Sequence, residues 1–163
     1  MGGVAAEGPG GPPLARLFSI AYRSLVDGLH EELRARGWDD VRPAYGFVLL
    51  ATRDAPTTVT GLTALLGTTK QATSKLVDNM EAAGYVRRVA ADGDGRRRPV
   101  HLTGRGAELL ATVEEIYGEL ESAWADAIGA KAVERLRRDL VEVLAATHGG
   151  QLPPVRPAPD RER

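Results

Sequence analysis

The chain contains no cysteine, which excludes disulfides, thiolate metal sites and thiol-based redox sensing. No apolar run approaches the ~20 residues that a bilayer-spanning helix needs. The opening stretch, M-G-G-V-A-A-E-G-P-G-G-P-P, lacks the basic region and the apolar segment of a signal peptide. The sequence therefore predicts a cytoplasmic protein.

Aromatic residues and lysine are both scarce. Aromatics make up 5% of the 163 residues, so the core has to be built mainly from Leu, Val and Ala. Only three lysines stand beside eighteen arginines, and the formal net charge is −1. Residues 61–105 nevertheless carry eight basic against four acidic side chains, a local +4, while the remainder carries thirteen against eighteen, or −5. A basic patch on a nearly neutral protein predicts a local anionic partner.

The apolar spacing predicts a chain of helices with one hairpin. Apolar residues three and four positions apart predict helices over 14–37, 43–50, 61–66 and 68–83, with a short β-prone stretch at 57–60. Two strands, 85–90 and 99–103, flank the glycine-rich tip A-D-G-D-G-R-R-R. Thr103 is the predicted N-cap of a long helix, and a last helix ends at Gly149.

This order of elements predicts a mainly α fold with a small β-hairpin, a winged helix-turn-helix flanked by long helices. The expected parts are a flexible arm over 1–12, a folded domain over 13–148 and a disordered, proline-containing tail over 149–163. The winged helix covers about 43–103. The flanking helices, about 13–36 and 104–148, have apolar faces that need a partner, and a second copy of the chain is the simplest one.

The helix predicted over 68–83 separates its residues onto two faces. At about 100° per residue, the outward face carries Lys70, Gln71, Ser74, Lys75, Asp78 and Glu81. The inward face carries Ala72, Thr73, Leu76, Val77, Met80 and Ala83.

The outward face admits two interpretations. Recognition helices place N-terminal residues against base edges, where Lys binds guanine and Gln pairs with adenine. Asp78 and Glu81, at the other end, would point away from DNA or pair with nearby arginines. Alternatively the face is merely solvated, and a capping box starting at Thr68 would tie Gln71 to the backbone. The sequence leaves open whether Thr68 or Thr69 is the N-cap.

The predicted hairpin tip clusters three arginines directly after this helix. Arginine suits the narrow, negative minor groove, and Asp94 is placed to hold the guanidinium of Arg96 by a charge-assisted hydrogen bond. The alternative is a solubilising turn, since Asp-Gly is ordinary hairpin chemistry. Two basic elements in tandem favour DNA binding over a solvated surface.

These residues resemble a known family, the MarR-type winged-helix transcriptional regulators. The similarity is carried by L-G-T-T-K-Q-A-T-S-K-L-V-D-N-M-E-A-A-G-Y-V-R-R and by D-G-D-G-R-R-R-P-V-H-L-T-G-R-G, within about 43–110. Asp94 and Arg96 fall on the family's Asp-x-Arg wing, and Leu102, Thr103 and Gly106 fall on its Leu-Thr-x-x-Gly. Met80 stands where leucine is usual, a conservative core substitution.

The resemblance implies a homodimer, held by its terminal helices, that binds double-stranded DNA at a pseudo-palindromic operator. It implies a repressor of nearby genes that a small, often aromatic, acid releases from DNA. No cofactor or metal is expected, because three scattered histidines and no cysteine give little support to the zinc sites of some family members. His30, Trp38 and Tyr45 are candidates to line the ligand pocket, with core or interface packing as the alternative for each. The predicted DNA-binding residues are Thr69, Lys70, Gln71, Ser74 and Lys75 on the helix and Asp94, Arg96 and Arg97 on the wing.

Other functions are weighed against this one. An enzyme is not expected, because the three histidines lie in separate segments and no Walker loop or metal signature is present. A winged helix that serves only as a protein-interaction module would not need Lys70, Gln71 and Arg96 together. An activator or an architectural DNA-binding protein of the same fold remains open.

Overall fold

The computed structural model describes residues 11–90 and 98–155, and within them it contains six helices and two strands. A two-stranded antiparallel hairpin follows the helix-turn-helix, so the predicted mainly α winged helix-turn-helix with long flanking helices is confirmed. The elements are α1 (Leu14–Ala35), α2 (Pro43–Thr52), α3 (Val59–Leu66), α4 (Lys70–Ala82), β1 (Val86–Arg88), β2 (Val100–Leu102), α5 (Gly104–Ile128) and α6 (Ala130–Thr147).

Threonine and glycine set the ends of the helices around the hairpin. The hydroxyls of Thr58, Thr69 and Thr103 each accept the backbone N–H three residues further along, at 3.0–3.1 Å, and so cap α3, α4 and α5. Gly67 and Gly84 follow α3 and α4 with φ of 63° and 80°, a conformation that glycine adopts without a Cβ penalty. The predicted N-cap at Thr103 is therefore confirmed.

The β-structure is shorter than predicted. The regular pairing runs from Val86 opposite Leu102 to Arg88 opposite Val100. Of the β-prone stretch at 57–60, only Thr57 pairs with a strand, through N–H···O bonds of 3.1 and 2.7 Å to and from Val100. The rest of that prediction is wrong, because the Thr58 cap starts α3 at once and places Val59 in its first turn.

The core lies where α1, α2, the helix-turn-helix, the hairpin and the first half of α5 meet. It is built mainly from leucine and valine, as the composition predicts, with one isoleucine, one methionine and two tyrosines. The alanine that was also expected packs only against its edge, at Ala51 and Ala83. Its fully or largely buried members are Leu29, Leu33, Tyr45, Val48, Leu49, Leu62, Leu66, Val77, Met80, Tyr85, Val86, Val100, Leu109, Leu110 and Ile116.

Helix α5 starts in direct contact with the hairpin. A Cβ atom on Gly106 would lie 2.1 Å from the carbonyl oxygen of Tyr85 and 2.7 Å from Leu102 Cδ1. The same Tyr85 carbonyl accepts the N–H of Thr103 at 3.1 Å, and the Thr103 hydroxyl donates to the carbonyl of Gly84 at 2.6 Å. The first turn of α5 is therefore anchored to the chain that leaves α4.

The outer halves of α1, α5 and α6 leave a large apolar surface exposed. Leu14, Ile20 and Val143 are 67%, 61% and 60% exposed, and α6 contributes no buried residue. A groove of 570 Å³, here called the outer groove, runs along these helices. It is lined by Leu14, Leu17, Phe18, Ala21, Tyr22, Leu25, Glu121, Trp124, Val133, Leu136, Arg137 and Leu140.

Two predictions concern the ends of the chain. Most of the predicted arm and the second half of the predicted tail fall on residues 1–10 and 156–163, outside the described residues, so the division into arm, domain and tail stays a prediction. After Gly150, residues 151–155 form neither helix nor strand.

None of the described helices has the length and apolarity that crossing a membrane requires.

Candidate nucleic-acid interface

Helix α4 presents a polar face outward, as the sequence predicts. Lys70, Gln71 and Lys75 are exposed and Ser74 is half-buried. On the opposite side Thr73, Val77 and Met80 are buried against the core. Ala72 differs from the prediction: it is exposed, although the next residue, Thr73, is fully buried. We call Lys70, Gln71, Ser74 and Lys75 the recognition face.

The N-cap of α4 decides what Gln71 can do. Thr69 is the cap, since its Oγ1 accepts the N–H of Ala72 at 3.1 Å. Gln71 is therefore the second residue of the helix, one position short of the third position that a capping box uses. The alternative in which Gln71 reaches back to the backbone at Thr68 is wrong, and its amide lies exposed beside Lys70.

The acidic end of α4 is neutralised by an arginine from the hairpin. The Arg88 guanidinium lies 2.7 Å from Asp78 Oδ1 and 2.7 Å from Glu81 Oε2, and the Arg88 backbone N–H donates to Glu81 Oε1 at 2.7 Å. The same guanidinium donates to the carbonyl of Ser74 at 3.4 Å. The expectation that these two acids pair with nearby arginines is confirmed.

Arg88 itself was missed as a candidate site residue. Strand alternation contained the signal: in β1, Arg88 falls on the same face as Val86, which is buried, whereas Arg87 falls on the opposite, exposed face. A charged residue on the inward face of a strand next to two helix carboxylates requires an ion pair.

The wing tip is only partly described. Asp94, Arg96 and Arg97 lie within residues 91–97, outside the described residues, and their roles stay predictions. At the base of the hairpin, Arg87 and Arg98 are exposed, and Arg87 lies opposite His101 in the register. The base of the hairpin is thus itself basic on its outer side.

Trp38 and Tyr45 pack around a buried tyrosine. The Tyr85 ring lies 6.1 Å from Trp38 and 5.9 Å from Tyr45, and the Arg105 guanidinium lies 5.2 Å from the ring centres of both Trp38 and Tyr85. The Tyr85 hydroxyl donates to Asp40 at 2.5 Å. Burial, together with this bond, raises the pKa of Tyr85. For Trp38 and Tyr45 the core-packing alternative describes the observed contacts.

His30, in contrast, lines a cavity of 310 Å³ between α1, α2 and α5, here called the interhelical cavity. Most of its wall is aliphatic or aromatic, with Arg42 and Glu114 as its charged members. The remaining lining residues are Tyr22, Val26, Leu29, Leu33, Val41, Pro43, Gly46, Phe47, Leu49, Leu50, Leu110, Val113, Tyr117 and Val155. Over residues 11–90 and 98–155, no group of three or more His, Asp or Glu side chains could hold a metal ion.

The fold, together with the exposed basic start of α4, the second helix of the helix-turn-helix, defines the class of protein. It is a winged helix-turn-helix protein. Residues 39–97 match the model of the MarR family. The chain therefore carries a MarR-family winged helix, and the resemblance read from its sequence is confirmed. This family in general comprises DNA-binding transcriptional regulators rather than enzymes.

Solved structures agree with this assignment. Wild-type MarR from E. coli, in its apo form, superposes with a TM-score of 0.66 at 27% identity, over 82% of this chain and 98% of that one. The transcriptional regulator Tm0710 from Thermotoga maritima superposes with a TM-score of 0.68 at 22% identity, over 85% of this chain and 99% of that one. A mutant of MepR from S. aureus, bound to an oligodeoxyribonucleotide, superposes with a TM-score of 0.60 at 20% identity, over 83% of this chain and 99% of that one. No curated protein matches the sequence significantly.

Proposed function

We propose that this protein is a sequence-specific transcriptional repressor that binds double-stranded DNA as a homodimer. The observation that carries the proposal is the recognition face: Lys70 and Gln71 lie exposed at the N-terminal end of α4, while the acids at its other end are paired with Arg88. Lys and Gln are donors that reach guanine and adenine edges in the major groove. The N-terminal end of such a helix is the part that meets the bases.

The apolar surface of the outer helices supports the dimer. Large side chains such as Phe18, Ile20 and Val143 are 43–61% exposed along α1 and α6, more than a soluble monomer normally leaves uncovered in one region. A second copy that lays the same helices into the outer groove buries both surfaces, as a two-fold interface does. Two recognition faces then require a pseudo-palindromic operator with half-sites about one helical turn apart.

The wing supplies the second contact in this proposal. Arg96, positioned by Asp94, enters the minor groove next to the half-site, with Arg97 near the phosphates. The exposed Arg98 at the base of the hairpin extends the same basic strip. Thr69 and Ser74 contribute hydroxyls for phosphate or base contacts at the helix itself.

A small-molecule effector fits the interhelical cavity. Its volume of 310 Å³ is at the lower end of small-molecule sites. Its apolar wall carries the cation of Arg42 and the carboxylate of Glu114, which is paired with Arg53. A small aromatic acid matches that combination. Because the wall joins α2 of the winged helix to α1 and α5, a bound ligand would change how the recognition faces are held, and so release the DNA.

The proposed function is tested first by binding to DNA. The purified protein is titrated with the DNA upstream of its own gene and with a scrambled duplex of equal length, each at two salt concentrations. We expect tighter binding to the upstream DNA, by about 1000-fold or more, and weaker binding to both duplexes at higher salt. Footprinting is expected to show two protected half-sites about one helical turn apart.

Weak binding that is equal for both duplexes, together with no preferred sequence in a library of random duplexes, would exclude sequence-specific recognition. Tight binding with a single asymmetric footprint would exclude the homodimer. A reporter gene placed behind the bound DNA separates repression from activation, because a repressor lowers its expression and an activator raises it.

Protonation of His30 should destabilise the fold. Burial in the cavity wall lowers its pKa below the usual 6.5, and the charge of Arg34 lowers it further against the opposing effect of Asp27. The unfolded chain therefore takes up this proton first. The stability is unaffected above pH 6.5, and it falls between pH 6.5 and the lower pKa of His30 in the folded state.

Urea unfolding near pH 7.5 and pH 5.5 measures the effect. The wild-type protein should lose more stability between the two conditions than His30→Gln, which cannot titrate there. Groups common to both proteins cancel in this comparison. An equal loss in both proteins would show that His30 gains its proton as readily in the folded state as in the unfolded one.

A further inference from the structure

One arginine of the hairpin is bonded to the recognition helix at several points. Arg88 contacts Asp78, Glu81 and the Ser74 carbonyl through its guanidinium, and Glu81 again through its backbone N–H. Its side chain is 17% exposed, whereas the Asp78 side chain is 60% exposed. A guanidinium that spans two carboxylates and a carbonyl is held in one orientation, unlike a single surface ion pair.

These contacts fix the hairpin relative to α4. Ser74, Asp78 and Glu81 lie on successive turns of the helix, so Arg88 holds about two turns of α4 at once. On its other side Arg88 lies in register with Val100, which is itself bonded to Thr57 just before α3. A displacement of α4 along its axis therefore has to break bonds to the hairpin.

We propose that Arg88 is a positioning residue for DNA recognition: it does not contact DNA, but it holds α4 at the angle to the hairpin that lets Lys70 and Gln71 reach base edges. The inference rests on the proposed function. Ser74, which belongs to the recognition face, is the point where the Arg88 contact and the DNA-facing side of α4 meet.

Charge is the competing explanation for Arg88. The exposed side of α4 carries two lysines and two acids, a balance of zero, and Arg88 shifts it to +1. If Arg88 acted only by neutralising Asp78 and Glu81, removing those two acids would strengthen DNA binding. If it acts by positioning, removing them releases the hairpin and weakens recognition. The two explanations thus predict opposite effects for the same variant.

The experiment compares four proteins: wild type, Arg88→Gln, the double variant Asp78→Asn with Glu81→Gln, and Arg87→Gln. Arg87 is the matched control, because it is the adjacent arginine and points to the other, exposed side of the strand. Each protein is titrated with the preferred and the scrambled duplex over a salt series, and urea unfolding identifies any variant that does not fold.

For Arg88→Gln we expect the preference for the preferred duplex to fall about tenfold, as when one good base pairing is lost. The slope of affinity against salt should stay that of wild type, because no phosphate contact is removed. The double variant should lose preference by a similar factor, and Arg87→Gln should keep the wild-type preference. The double variant also serves as the test if Arg88→Gln fails to fold.

Several results would overturn the inference. One is an Arg88→Gln protein that keeps its preference for the preferred duplex. Another is an Arg88→Gln protein that loses affinity equally for both duplexes and whose slope of affinity against salt falls by about one unit, because that result marks a phosphate contact. A third is a double variant that binds both duplexes more tightly with unchanged preference. A wild-type protein without any preference would overturn the proposed function and, with it, this inference.

Discussion

Gly106→Ala is expected to destabilise the protein by about 3 kcal/mol. The new Cβ atom would lie 2.1 Å from the Tyr85 carbonyl oxygen, far inside van der Waals contact. That carbonyl is part of the backbone and already accepts the N–H of Thr103, so it cannot move without breaking the anchor of α5. The strain therefore has to be relieved by separating α5 from the hairpin.

Gly104→Ala is the matched control for this prediction. It lies in the same first turn of α5, is exposed, and has open space where its Cβ would be. We expect it to be neutral or to stabilise by up to about 1 kcal/mol, because alanine favours the helix over glycine. Urea unfolding of both variants gives the comparison. Similar free energies of unfolding for the two would contradict the close approach at Gly106.

Lys70→Ala and Gln71→Ala are each expected to remove about 1–3 kcal/mol of discrimination between the preferred and the scrambled duplex. Both side chains are exposed at the start of α4 and contribute nothing to the core, so the stability of the fold should change by less than about 0.5 kcal/mol. For Gln71 the loss of affinity should appear mainly on the preferred duplex. For Lys70 it should be larger on the preferred duplex, with a smaller loss on the scrambled duplex because its charge also attracts phosphate.

Lys131→Ala is the control for charge alone, since it removes an exposed lysine from α6, remote from the recognition face. It should leave both affinities close to those of wild type. The measurement is the dissociation constant on each duplex at one fixed salt concentration. If Lys70→Ala and Gln71→Ala behave like Lys131→Ala, α4 does not read bases and the proposed recognition face is wrong.

The helices were predictable because their signals are local. Apolar residues at helical spacing, together with Thr103 before α5 and Gly67 and Gly84 after α3 and α4, mark elements that the structure contains. The division of α4 into two faces followed from the same periodicity. The error at 57–60 came from β-propensity, which the N-cap at Thr58 overrides.

The features that the sequence did not reveal depend on distant contacts. Whether Thr68 or Thr69 caps α4 changes the role of Gln71, and only the backbone geometry decides between them. Pairing of Asp78 and Glu81 with a nearby arginine was expected from the sequence. That Arg88 is the partner depends on how β1 folds back onto α4, because Arg88 lies ten residues after Asp78 and seven after Glu81. The cavity beside His30 needs three helices to be placed before it exists.

The anchored start of α5 has a mechanical consequence. With 25 residues, α5 is about 37 Å long, and it runs from the hairpin to the outer groove. Because its first turn cannot slide on the hairpin, the helix acts as a stiff lever between the two regions. If the whole helix tilts by about 5° about its outer end, the end next to the hairpin moves by about 3 Å. That distance is close to the ~3.4 Å spacing of base pairs along one strand. In the proposed complex with DNA, a change of packing in the outer groove would therefore move the hairpin by about one base step.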